Sequence, residues 1–290
     1  MREIKSMRNL FKKITTAMAF ALLFTSNVNA ADTQSLTNKI LFVEKEKTGL
    51  TYLSVMDPNG ANKKRLTPSL NNIVFPKYCE KSGWIAFTNQ TDKMESEIFI
   101  LNKDGDQLKK ILTNASFEDF SPDGKSFLYT SADANASLYV YNLADKKATK
   151  ISQDLKVTSA NWSNDGEWII TSVFTNDGTL DIYLISCYAQ GIIKCTDTKG
   201  VNEAFPMFSK DNLNAVFYTN ANGENEIQIL GVGTKDNLAL SRPGIVGTHP
   251  SFSPDGKSIV YQKGNDIVVS DIGGLKSTKI GSGSTPYWTK

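Results

Sequence analysis

The sequence predicts an all-β fold: a six-bladed β-propeller with four antiparallel strands per blade. Three observations predict it. The phrase Ser121-Pro122-Asp123-Gly124-Lys125-Ser126 returns unchanged as Ser253-Pro254-Asp255-Gly256-Lys257-Ser258. Aromatic residues standing before such turns recur as Tyr78, Phe120, Trp162, Phe208, Phe252 and Trp288, in steps of 42, 42, 46, 44 and 36 residues. Finally, the first blade lacks an innermost strand, whereas Thr285-Pro286-Tyr287-Trp288 at the C-terminus is an innermost strand without a blade. A period near 42 with four short strands is the signature of a propeller blade.

In chain order, the first element is an export signal. Arg2, Lys5, Arg8, Lys12 and Lys13 face only Glu3, an apolar run follows from Ile14 to Phe24, and Val28-Asn29-Ala30 places small residues at a cleavage site. Residues 1–30 therefore read as a secretory signal peptide. The apolar run is short for a membrane span, which needs about 20 residues. The whole chain has 32 Lys and Arg against 30 Asp and Glu; without the five bases and one acid of the leader, 27 stand against 29. The mild basicity belongs to the leader. No basic stripe remains to read nucleic acid, and no later apolar run is long enough to cross a membrane. Residues 31–37 are expected to be a short N-terminal segment and residues 38–290 a single propeller. The expected location is the periplasm or the exterior, and the expected state a monomer.

The blades follow. In each turn Pro pre-sets the first position, Asp bonds back to the backbone and Gly takes the positive φ that other residues resist. The related turns are Glu80-Lys81-Ser82-Gly83, Ser163-Asn164-Asp165-Gly166 and Ser209-Lys210-Asp211-Asn212. Each leads into a β-rich run such as Trp84-Ile85-Ala86-Phe87 or Ala215-Val216-Phe217-Tyr218. A third, alternating strand often begins with an acid: Glu97, Asp181, Glu226, Asp266. The fourth ends near Leu112-Thr113, Ile151-Ser152 or Cys195-Thr196. Closing the ring with Thr285–Trp288 removes the open edges between the first and last blades. The recurring aromatics are expected to pack between blades, and the turn aspartates to be turn formers.

On these residues the chain resembles the TolB-like six-bladed propellers of exported bacterial proteins. The motifs are Pro250-Ser251-Phe252-Ser253-Pro254-Asp255-Gly256, the Asp181-Ile182-Tyr183 strand and the Leu112-Thr113 end, and the resemblance runs from about residue 38 to 290. It is specific for fold and weak for function. One departure is that TolB carries an α/β domain before its propeller, whereas the expected cleavage leaves nine residues before Ile40. The resemblance implies a propeller that docks a peptidoglycan-associated lipoprotein and peptide segments of other proteins.

Three cysteines, Cys79, Cys187 and Cys195, enter an oxidising compartment if the chain is exported. Cys187 and Cys195 flank Tyr188-Ala189-Gln190-Gly191 and are expected to face each other across that hairpin as a disulfide. The alternative is that Cys195 fills an apolar position occupied elsewhere by Leu66 and Ile151. One His and no Cys-x-x-Cys pair give too few ligands at useful spacing for a Cys metal site to be expected.

The loops entering the innermost strands converge on the channel mouth, the place to look for a site. They supply the binding candidates Glu118, Asp119, Asn161, Asn202, Glu203 and His249. Glu118, Asp119 and Glu203 have the hard oxygens that a divalent cation takes. They come from only two of six loops, so local capping is the favoured reading and no cofactor is expected. His249, the single histidine, has no nucleophile beside it and reads as a polar channel-mouth residue. No Gly-x-Ser-x-Gly or His-Glu-x-x-His motif is present. The expected function is therefore a non-catalytic propeller that binds a protein or peptide partner in the bacterial cell envelope. A channel-mouth enzyme acting on a carbohydrate or ester, with or without a divalent cation, is the alternative; a structural envelope subunit is a third reading.

Overall fold

The repeated turn is a small hydrogen-bonded cage. In a computed structural model of the chain, Ser121 Oγ donates to Asp123 Oδ1 at 2.7 Å, the same oxygen accepts Lys125 N at 3.0 Å, and Gly124 N closes on Ser121 O at 2.8 Å. Ser253, Asp255, Gly256 and Lys257 repeat this at 2.6, 3.1 and 2.9 Å. Asp165 and Asp211 do the same for Ser163 and Ser209. The turn aspartates thus hold backbone. Asn212 takes the glycine's place at φ 60°, which Asn tolerates better than most residues.

The structure describes residues 35–188, 191–232 and 239–290. The expected signal peptide, residues 1–30, and Ala189 and Gln190 of the hairpin between the cysteines lie outside them. Among the described residues there are six four-stranded antiparallel sheets and no helix. Five blades use consecutive strands, with innermost strands Ile73–Cys79 (blade 2), Ala115–Phe120 (blade 3), Val157–Trp162 (blade 4), Glu203–Phe208 (blade 5) and Thr248–Phe252 (blade 6). Blade 1 comprises Ile40–Lys45, Thr51–Met56 and Lys64–Arg65, completed by Ser284–Trp288. Ile40 pairs with Trp288 and Leu41 with Tyr287, which closes the ring. Trp288 Nε1 donates to Asn38 Oδ1 at 2.8 Å, and Lys39 N to Thr289 Oγ1 at 2.7 Å.

The aromatics spaced along the sequence do pack between blades. Trp288 joins Ile40, Phe42 and Met56 of blade 1 to Val260 and Ile267 of blade 6. Phe208 joins Ile170, Ile182 and Leu184 of blade 4 to its own Ala215 and Phe217. Each large side chain fully buried in these seams contributes about 1.5–3 kcal/mol. The acid opening the third strand pairs with a lysine of the fourth: Glu97 with Lys110 at 2.9 Å, Asp181 with Lys194 at 2.8 Å, Asp266 with Lys279 at 2.7 Å. The hydroxyl ending the fourth strand caps the third strand's first N–H groups. Thr67 Oγ1 accepts Leu53 N, Ser152 Oγ accepts Leu138 N, and Thr196 Oγ1 accepts Ile182 N, at 2.9, 3.0 and 2.9 Å.

The expected disulfide is not formed: Cys187 and Cys195 are free. Cys195 N bonds Ile182 O as Leu66 N bonds Leu53 O and Ile151 N bonds Leu138 O. Cys187 N bonds Glu167 O as Leu143 N bonds Lys125 O and Ile272 N bonds Lys257 O. Each cysteine fills an apolar repeat position, at opposite ends of the third strand and in different core clusters. At about 3.3 Å per residue that strand keeps them far beyond disulfide reach. Burial pushes both thiols up to about 12. Cys79 is also free and buried. No helix among the described residues is long and apolar enough to cross a membrane.

Candidate functional site

Counting back from each recurring aromatic aligns the channel wall in rings. One residue before it stand Lys77, Asp119, Asn161, Met207, Ser251 and Tyr287; two before, Pro76, Glu118, Ala160, Pro206, Pro250 and Pro286; three before, Phe75, Phe117, Ser159, Phe205, His249 and Thr285. Four of the six strands carry an X-Pro step at one place. Each step is a bulge with one extra residue. Val74 pairs with Thr88 but Lys77 with Ala86, and Ala204 with Tyr218 but Met207 with Val216. Thr248 and Ser251, and Ser284 and Tyr287, show the same slip. Proline suits a bulge because it has no N–H to lose from the ladder. The residue before each proline is left-handed: Phe75 at φ 54°, Phe205 at 55°, His249 at 51° and Thr285 at 44°. Such conformations in non-glycine residues cost about 1–3 kcal/mol each and gather at functional sites.

The bulges turn an aromatic set toward the mouth. Phe205 lies 4.8 Å from Phe75, 4.7 Å from His249 and 5.7 Å from Tyr218, centroid to centroid. These distances suit tilted and stacked aromatic packing. All four rings are half-buried. Phe75, Phe205, His249 and the four prolines line a small pocket of about 50 Å³ that also reaches Lys77, Glu118, Ser159 and Thr285. His249 packs as a ring among rings rather than standing as a polar group. Its Nδ1 meets the neighbouring Thr248 Oγ1 at 3.1 Å, and burial lowers its pKa to about 4, so it is neutral at pH 7.

Blades 3 and 4 supply a polar wall instead. Asp119 Oδ2 accepts Asn161 Nδ2 at 2.6 Å and Trp162 N at 2.8 Å, while Oδ1 faces Lys77 Nζ at 3.4 Å. Asn161 Oδ1 accepts Phe208 N at 2.8 Å. Lys290 Nζ donates to Phe208 O at 3.1 Å, and burial lowers its pKa to about 8. Glu118 accepts Thr130 Oγ1 at 2.8 Å and Ala160 N at 3.1 Å. Burial pushes its carboxyl up to about 8, against the pull of the Thr130 bond and of Lys77. Blade 4 has Ala160 where four blades have proline, so its backbone N–H is there for Glu118 to take. With both oxygens occupied, Glu118 links blades rather than standing free as a base.

The six sequence-predicted residues therefore separate into three groups. Glu118 and His249 line the mouth pocket. Asp119 and Asn161 lie just below it as a link running from blade 3 through blade 4 to blade 5. Asn202 and Glu203 lie outside it, at the seam between blades 4 and 5, where Asn202 N bonds Asn220 Oδ1 at 2.8 Å and Thr198 Oγ1 bonds Glu203 Oε1 at 3.2 Å. Burial raises the Glu203 pKa, and the charge of Asp181 adds to the rise. The three acids considered as a channel cation set thus do not converge. The aromatic wall of Phe75, Phe205 and Tyr218 was not among the predicted residues. Its signal was in the sequence: of nine prolines, four stand two places before the repeat aromatic.

The TolB β-propeller domain model matches residues 31–270. No curated protein matches the chain. Among solved structures, TolB from Acinetobacter baumannii superposes with a TM-score of 0.73 at 21% identity, covering 88% of this chain and 67% of that one. A chain of a nidogen–laminin complex superposes at 0.67 with 9% identity, over 86% and 97%. A prolyl endopeptidase superposes at 0.53 with 14% identity, over 86% and 42%. At such identities the likeness is one of fold. With the family model spanning most of the sequence, the chain belongs to the TolB β-propeller domain family.

Proposed function

We propose that this chain is an exported, non-catalytic propeller that binds a protein or peptide partner of the bacterial cell envelope at its channel mouth. The observation that carries the reading is the wall built by four left-handed X-Pro bulges, which presents Phe75, Phe205 and His249 around a small apolar pocket with a polar floor, with Tyr218 stacked on Phe205. Half-buried aromatic rings supply large contact area at low side-chain entropy cost, the usual anchor of a protein contact. Two further points support it. Family members include TolB itself, and the nidogen–laminin likeness comes from a complex of two proteins. The basic, apolar and small-residue sequence of residues 1–30 supports export.

The test is site-specific photo-crosslinking in the native envelope. A crosslinking residue at Phe205 is expected to capture a discrete protein. The same residue at Leu213, which is 54% exposed in the turn beyond Phe208 at the other end of the strand, is expected to capture none. Capture from Leu213 alone, or from neither position, overturns the reading.

A further inference from the structure

The seam between blades 4 and 5 buries negative charge without enough positive charge to match it. Leu180 and Asn202 form a parallel bridge, which sets the following residues, Asp181 and Glu203, side by side. Each is 3% exposed. Asp181 spends Oδ2 on Lys194 at 2.8 Å, and Glu203 spends Oε1 on Thr198 at 3.2 Å. Asp181 Oδ1 and Glu203 Oε2 have no hydrogen-bond partner. Among the described residues only Thr285 Oγ1 shares that state. Among the described residues Lys194 is the one cation paired with either acid, and Asp197 shares it. Buried charges are ordinarily paired or coordinate a metal.

The repeat shows that this is a departure. Five residues before the recurring aromatic, where blade 5 has Glu203, the other blades have Ile73, Ala115, Val157, Gly247 and Gly283. The acid of the other acid–lysine pairs lies nearer the surface: side-chain exposure is 14% for Glu97 and 40% for Asp266, against 4% for Asp181. A carboxylate has been placed at an apolar repeat position and against a second carboxylate. The pair backs onto an open groove lined by Asp181, Lys194, Asp197 and Thr198. Asp133, Asp154 and Asp177 also line it, giving five aspartates against three lysines. A cleft of that sign concentrates cations.

We propose that Asp181 Oδ1 and Glu203 Oε2 bind a calcium ion that pins blade 4 to blade 5. The site lies outside the channel and does not depend on the mouth reading. The hydroxyls of Thr196 and Thr198, which lie against Glu203, are the further oxygens the seam offers. All these donors are hard oxygens in an irregular arrangement, which suits calcium better than the octahedral demand of magnesium. No group of three carboxylate, imidazole or thiolate side chains converges among the described residues. The affinity therefore belongs with weak extracellular calcium modules, about 10⁻⁴–10⁻³ M.

The test is calorimetric titration and thermal melting of the purified protein with calcium chloride, with magnesium and potassium chlorides as controls at matched ionic strength. Calcium is expected to give a saturable heat and raise Tm by several degrees at about 10 mM. Asp181→Asn/Glu203→Gln should lose both effects and, freed of the repulsion, melt at or above the calcium-free wild type. Should that variant not fold, Glu203→Val, which copies Val157 of blade 4, provides the same comparison. No heat at about 10 mM calcium, or an undiminished Tm rise in the folded variant, overturns the site. So does a wild-type Tm that climbs as pH falls while ignoring calcium, because the missing positive charge would then be a proton on Glu203.

Discussion

The channel wall is built in two ways. Blades 1, 2, 5 and 6 use an X-Pro bulge, spend backbone strain, and turn Phe75, Phe205, His249 and Thr285 toward the mouth. Blades 3 and 4 use no proline there: blade 3 carries its bulge at Glu118, in the proline's place, and blade 4 carries its bulge earlier in the strand, between Val157 and Ser159. They run side chains across the seams: Glu118 to Ala160, Asp119 to Trp162, Asn161 to Phe208. The first sector leaves Thr285 Oγ1 unpartnered; in the second, Glu118, Asp119 and Asn161 of the innermost strands satisfy their side-chain oxygens within the protein. The difference suggests a division of labour. The proline sector is shaped for something outside the chain, while the polar sector holds the ring together.

The largest expected effect tests the polar sector. Asp119→Ala leaves Trp162 N, Asn161 Nδ2 and the buried Lys77 ammonium without their acceptor. Breaking a buried pair of this kind costs roughly 3–5 kcal/mol. Urea denaturation should show that loss, and a cost below about 1 kcal/mol would break the assignment of this sector to stability.

Next comes pH, where the two sectors have opposite signs. The Glu118 pKa is about 8 in the folded chain against an ordinary 4.5. The folded state holds the extra proton between those values, so the stability from Glu118 is present below pH 4.5 and is lost as pH rises toward 8. The His249 pKa is about 4 against 6.5. Its stability is present above pH 6.5 and is lost as pH falls toward 4. Glu118→Gln should abolish a decline between pH 6.5 and 8, and His249→Asn should abolish one between pH 6.5 and 4. Stability–pH curves parallel to the wild type in either variant would remove that group from the account.

The smallest effect concerns the unpartnered hydroxyl. Thr285→Val keeps the branched shape and the left-handed backbone cost but removes a buried oxygen with no partner. Stability should be unchanged or rise by up to about 1 kcal/mol. Crosslinking from Phe205 should weaken if the partner uses that hydroxyl. Lost stability would show that Thr285 is bonded within the fold.

Much of the fold was legible in one dimension because a propeller repeats. Each Ser-x-Asp-Gly turn, seam aromatic and hydroxyl cap solves a local problem, so the same residues recur at the same offset. The site was less legible because it depends on departures from the repeat. Glu118, Asp119 and Glu203 look alike as acids in blade-entering loops. One faces the pocket, one the link below it, and one the outer seam. The cysteines looked like partners across a hairpin until strand register put them at opposite ends of a strand. Identical turns also differ once folded. A methyl on Gly124 would meet Ser82 N at 3.0 Å and Cys79 Sγ at 3.1 Å, whereas one on Gly256 meets nothing.

By itself the sequence determined the blade count, the turns and the ring closure by Thr285–Trp288, because these follow from local backbone chemistry repeated at a near-constant period. Only the tertiary structure decided which residues share a surface. It gathered Phe75, Phe205, Tyr218 and His249 at one mouth from three blades, and set Asp181 against Glu203 across a seam. The reason is geometric: neighbours across a propeller channel or seam are a blade or more apart in the chain, and no local pattern encodes which side chains meet there.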